Sequence, residues 1–171
     1  MTNPLLQRID SGIRQLFPVV VTLLLIILNA LPLRLPNWSA VEPLLPLVAV
    51  YYWSLYRPDL LPASLAFGLG VVNDVVTGGA IGVSSLVFIL VRAMTTSNQR
   101  FFHGKSFFVV WSGFGLVGGG AVLLQWLLVS LLFAHFPAPR PMLVELAMTL
   151  LSYPLLSWLL TRAQLVLLRG T

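Results

Sequence analysis

The stretch Phe67 to Gly82, FGLGVVNDVVTGGAIG, sets one carboxylate, Asp74, at the end of an apolar run rich in glycine. Only five acidic residues occur among 171. An ionisable group at membrane depth costs about 2.5–3.5 kcal/mol on insertion scales, so it is normally paired, hydrated or functional. Asp74 admits two readings. It is a helix-end carboxylate, reaching the interface or tied to backbone N–H groups at the start of the next helix, or it belongs to a site for a partner, a small molecule or a proton. Arg34 and Arg140 are its candidate ion partners. Glu145, early in the last apolar stretch, is placed to approach Asp74 from the same side, and two neighbouring carboxylates can share a proton or hold a cation. Stabilisation by a helix start is the simpler account of Glu145.

Other catalytic chemistry is poorly served. Ser84 and Ser85 follow Gly82, but no histidine or lysine is placed at matching depth on a neighbouring span to act as base. His103 and His135 fall on opposite faces, so they form no metal pair. The absence of cysteine removes disulfides, thiolate catalysis and Cys-ligated zinc. There is no phosphate-cradling loop and no acidic cluster for magnesium. A protein without enzymatic activity, cofactor or bound metal is expected.

The remaining marked residues are glycines and aromatics. Gly78 and Gly82 are spaced GxxxG, as are Gly115 and Gly119, and Ala66 with Gly70 gives a small-xxx-small pair. Such faces let helices pack closely in lipid, within the chain or against another subunit. Thr77-Gly78-Gly79 reads as a turn, and Gly118-Gly119-Gly120 predicts a bend or an unwound point. Tyr51-Tyr52-Trp53 with Tyr56, Trp38 and Trp111 read as aromatic residues at the headgroup level near span ends. Arg57-Pro58 reads as a helix stop, with Arg57 snorkelling or pairing weakly with Asp59.

The elements that must position these residues follow from composition. The chain is 58% hydrophobic and 9% charged, with a mean hydropathy of +0.94. Soluble domains carry about 25% charged residues, so this is an all-α integral membrane protein. Six apolar stretches can be cut, at roughly Leu16–Leu35, Pro43–Tyr56, Leu60–Thr77, Ala80–Met94, Phe107–Phe136 and Met142–Leu168. A span needs about 20 residues, so the second and fourth are short and the last two are long enough to tilt, kink or protrude. The polar interval Thr95–Ser106 has room for a loop or one short helix. With six spans, Arg8, Arg14, Arg57, Arg92, Arg100, Lys105, Arg162 and Arg169 fall on one side and Arg34 and Arg140 on the other. That bias puts both termini in the cytoplasm. The first stretch lacks a small-x-small cleavage site and reads as an uncleaved helix. Residues 1–171 are expected to form a single six-span bundle. The net charge of +5 comes from dispersed residues, which act as topology determinants and headgroup contacts rather than as a nucleic-acid surface.

The segment from Pro46 to Gly82 carries a family resemblance: Tyr51-Tyr52-Trp53, Arg57-Pro58, Ala66-Phe67-Gly68-Leu69-Gly70, Asp74, Gly79 and Gly82. It resembles the MreD family of rod-shape-determining proteins of the bacterial inner membrane, which are small, basic and multi-pass. The resemblance implies a non-enzymatic scaffold of the cell-wall elongation machinery. Its implied partners are MreC, the MreB filament, the RodA glycosyltransferase and an elongation-specific penicillin-binding protein. It also implies a fold like the substrate-binding membrane subunits of energy-coupling-factor transporters. The alternative is a small-molecule-binding subunit of such a vitamin-type transporter. Candidate partner-binding or structural residues are Asp74, Gly70, Gly78, Gly79, Gly82, Tyr52, Trp53 and Arg57.

Overall fold

The computed structural model describes residues 4–31 and 42–168, with side-chain surroundings for 16–31 and 42–166. Arg34, Trp38 and Arg169 lie outside the described residues, as do the side chains of Arg8 and Arg14. Every described element is an α-helix: α1 Pro4–Ala30, α2 Leu45–Tyr56, α3 Ala63–Thr77, α4 Val83–Ser97, α5 Gln99–Phe102, α6 Phe107–Phe133 and α7 Pro139–Leu168. The short α5 occupies the polar interval as expected. Helix starts and stops follow local chemistry. α2 ends at Arg57, ahead of Pro58, and α3 begins after extended Pro62 and stops at left-handed Gly78 (φ 69°).

At 1.5 Å per residue, α6 and α7 are about 40 and 45 Å long, enough to cross a hydrocarbon core of about 30 Å. They are the two described helices long and apolar enough to span a membrane. α2, with 12 residues, and α3 and α4, with 15 each, are only about 18–23 Å long. Hydroxyls in this apolar setting bond back into their own helices. Thr22, Thr95, Ser112, Ser130, Thr149, Ser152 and Thr161 each donate to the carbonyl four residues earlier.

The long helices alternate in direction. Contacts near Asp74 join the end of α1, the approach to α2, the end of α3, the start of α4, late α6 and early α7. At the opposite end, the Tyr52 hydroxyl meets Thr161 Oγ1 at 2.9 Å, Gln99 Nε2 donates to Leu55 O, and Arg92 Nε donates to Leu61 O. α3 packs chiefly on α4, and α2 is enclosed by α1, α4 and α7.

That enclosure corrects the aromatic-belt reading. Tyr51, Tyr52 and Trp53 are 0%, 2% and 0% exposed. Tyr51 stacks edge-on against Phe114 and Tyr153, and Trp53 against Phe17. A short helix surrounded by neighbours has no lipid-facing side, so its rings supply core area instead. Trp111 is likewise half-buried and donates its indole N–H to Leu150 O. Tyr56 remains exposed.

The predicted break at Gly118-Gly119-Gly120 is also corrected where it called for unwinding, since α6 is continuous through all three. Gly118 lies against the Phe114 ring. An apolar surround leaves backbone groups no partner better than the helix itself, which offsets glycine's low propensity.

Candidate functional site

Asp74 sits in the last turn of α3 and is 3% exposed. Its Oδ2 accepts from Gly82 N–H at 2.8 Å, and both carboxylate oxygens accept from Ser84 N–H at 3.2 Å. These N–H groups open α4, whose own cap residue supplies no side-chain bond. The carboxylate therefore serves as a remote N-cap, contributed by the preceding helix. This is the tied arrangement among the sequence readings.

The chain between them turns on glycine. Gly78 ends α3 with φ 69°, and its N–H donates to Asp74 O, as does that of Gly79 at 2.9 Å. Gly82 opens α4 with φ 101°. Gly78 and Gly82 are therefore turn residues, not a GxxxG helix face: their positive φ is needed to reverse the chain. The other small pairs do pack. A Cβ on Gly70 would collide with the Ser85 backbone, and Ala66 is fully buried. Gly115 and Gly119 face Leu150 and Leu146 of α7. Further bonds close the α3–α4 corner: Asn73 Nδ2 to Ser84 Oγ at 3.0 Å, Ser85 Oγ to Phe67 O, and Thr77 Oγ1 to Asn73 O.

Behind the corner lies a cavity of about 270 Å³. Glu42, Asp74, Glu145, Asn29, Asn73 and Gln125 line it among apolar neighbours. Asp74 and Glu145 thus face one space, as their predicted placement on one side requires. Among the described residues, no ion pair joins Asp74 to Arg140, which is exposed. Sequence reasoning passed over Asn29, Asn73, Gln125 and Glu42. The available signal was a polar side chain inside or bordering an apolar run, recurring at the same end of successive segments.

The other named residues lie apart from this corner. Tyr52 and Trp53 belong to the α2 core, and Tyr52 also donates to Gln164 Oε1 at 3.1 Å. Arg57 is at the opposite end, with its Nε 3.8 Å from Asp59 Oδ1, an exposed pair of small energetic weight. Ser84 and Ser85 are engaged structurally, and His103 Nδ1 lies 2.9 Å from Gln99 O. Among the described residues no group of three His, Cys, Asp or Glu side chains converges as a metal site.

Alternating, strongly apolar helices, two of them of full spanning length, define a helical membrane protein whose best-organised polar feature is the α3–α4 corner. Residues 11–163 match the family described as rod shape-determining protein MreD, and the chain belongs to that family. Its role accordingly lies in rod shape determination, in a family of membrane proteins that is not a known enzyme family. No curated protein and no solved structure matches the chain.

Proposed function

We propose that this protein is a non-enzymatic scaffold of the cell-wall elongation machinery. Residues 1–171 form one six-span bundle in the bacterial inner membrane, with both termini cytoplasmic and a fold of the energy-coupling-factor substrate-binding type. It binds MreC and, through the assembled complex, MreB, RodA and an elongation-specific penicillin-binding protein. The family match over residues 11–163 carries this reading.

The geometry suggests where a partner helix docks. The Asp74 tether holds the α3–α4 corner rigid while Val75, Val76 and Ile81 project from it, exposed by 62%, 43% and 74%. A fixed apolar projection suits a partner's spanning helix better than a mobile loop would. The test is recovery of tagged protein from its own membranes in gentle detergent, with co-purifying proteins identified by mass spectrometry. MreC-type and wall-polymerising partners support the scaffold. The polar cavity favours the second reading, a vitamin-type transporter subunit, and recovery of ATPase subunits with a small ligand would establish it instead.

A further inference from the structure

The cavity behind the α3–α4 corner has a one-sided chemistry. Three carboxylates (Glu42, Asp74, Glu145) and three amides (Asn29, Asn73, Gln125) line it, and among the described residues no lysine, arginine or histidine does. Asn73 is 7% exposed, its Nδ2 is used on Ser84, and its Oδ1 has no partner. Reversing the amide leaves the nitrogen unpaired instead, so a buried polar atom on this wall is left over either way. Asn29, a half-buried residue, has a buried Oδ1 with no partner among the described residues. Buried polar groups are normally satisfied, so the leftover Asn73 atom on the cavity wall indicates an occupant that hydrogen-bonds.

Charge and size narrow its class. Asp74 keeps acceptor capacity beyond its bonds to Gly82 and Ser84, since a carboxylate offers about four lone-pair sites. Among the described residues, the Glu145 carboxyl has neither a hydrogen-bond nor an ion partner. A bare metal ion requires oxygens converging at about 2.0–2.6 Å, and no such group of acidic side chains exists among the described residues. The volume of about 270 Å³ leaves room for a charged head and a few carbons. We propose that this cavity binds an ammonium or guanidinium group, its N–H donors shared between the carboxylates and the unpaired amides. The occupant is a soluble amine or the headgroup of an aminolipid. The assignment stands whether the protein is a scaffold or a transporter subunit.

The test uses the full chain in detergent micelles, with agmatine as probe and tetramethylammonium as a cation lacking N–H. Equilibrium binding of labelled agmatine is measured alongside thermal melting. Agmatine is expected to bind saturably and raise the melting temperature, while tetramethylammonium does neither. Glu145→Gln should weaken binding about tenfold or more, the loss of one charge-assisted contact, and Gln125→Leu should weaken it less. Lys105→Gln, at the far end of the bundle, should bind as wild type. Absence of wild-type binding, an equal response to tetramethylammonium, or unchanged affinity in both cavity variants would overturn the proposal. If Glu145→Gln fails to fold, Gln125→Leu and the tetramethylammonium comparison decide it. In nanodiscs, displacement of agmatine by phosphatidylethanolamine but not phosphatidylglycerol identifies the headgroup as the source. Equal binding in both lipids identifies a soluble amine.

Discussion

Asp74 shows how a single acidic side chain can be held at the end of an apolar helix by the backbone N–H groups of the next one. Its oxygens hold the N–H groups of Gly82 and Ser84 at 2.8–3.2 Å, and removal leaves those donors, the one on Ser84 buried, without their acceptor. Asp74→Ala should therefore destabilise the detergent-solubilised protein by about 3 kcal/mol, while Asp74→Asn, which keeps one acceptor, should cost about 1 kcal/mol. Chemical denaturation of both variants checks this, and equal stability of the two would refute the capping role. The turn glycines make a companion case. Gly82→Ala, at φ 101°, should cost about 1–2 kcal/mol, whereas Gly68→Ala, in α3 with open space at the Cβ position, should be neutral or stabilising by up to about 1 kcal/mol. The importance of Asp74 was legible from its rarity among apolar neighbours. The turn at Gly78 was legible in Thr77-Gly78-Gly79, but that of Gly82 was not, because GxxxG spacing is identical whether the five residues lie on a helix or around a reversal. Only the φ angles separate the two.

Helix boundaries were mostly legible, because prolines, glycines and charges punctuate this chain sharply. Phe107 opens both the fifth apolar stretch and α6, and Tyr56 closes both the second stretch and α2. The largest boundary error is at α1, which starts at Pro4 rather than near Leu16, because polar residues outside an apolar run can still continue its helix. The fate of Tyr51, Tyr52 and Trp53 was hidden for a different reason. Aromatics near a span end look alike whether they meet lipid headgroups or other helices, and the deciding fact is which helices surround α2. Trp53→Ala should cost about 3–5 kcal/mol by opening a core cavity. Tyr52→Phe should cost about 1 kcal/mol through the lost bonds to Thr161 and Gln164. Thermal melts of both distinguish core rings from belt rings, since a ring in contact with headgroups would show a small loss in the first case. In α6, Gly120→Ala should stabilise by up to about 1 kcal/mol, as the helix is unbroken there and the added methyl meets no neighbour.

For the molecule as a whole, the expected arrangement of six spans makes a labelling prediction that the absence of cysteine renders clean. Single cysteines replacing Arg57 and Lys105 should react with an impermeant maleimide only after the cytoplasmic face is opened. Replacements of Ile81 and Arg140 should react in intact spheroplasts. Labelling of all four from one side would end the alternating topology. Composition made the membrane class legible, but the cavity was not, because its walls are drawn from residues as far apart as Asn29 and Glu145. No local pattern announces such a convergence.

The hydrogen bond from Leu44 N–H to Thr149 Oγ1 spans 105 residues of sequence. At about 5–20 residues per second, a ribosome needs about 5–20 s to make the chain between them. For that interval α2 is already synthesised, yet the Tyr52 hydroxyl still lacks Thr161 and Gln164 of α7, and the Tyr51 ring lacks Tyr153. The α3–α4 hairpin, closed by contacts only eight to ten residues apart, can form almost at once. Biogenesis thus proceeds from an early hairpin to a late closure by the last helix, and a nascent chain stalled before α7 should depend on an insertase or a chaperone to escape proteolysis.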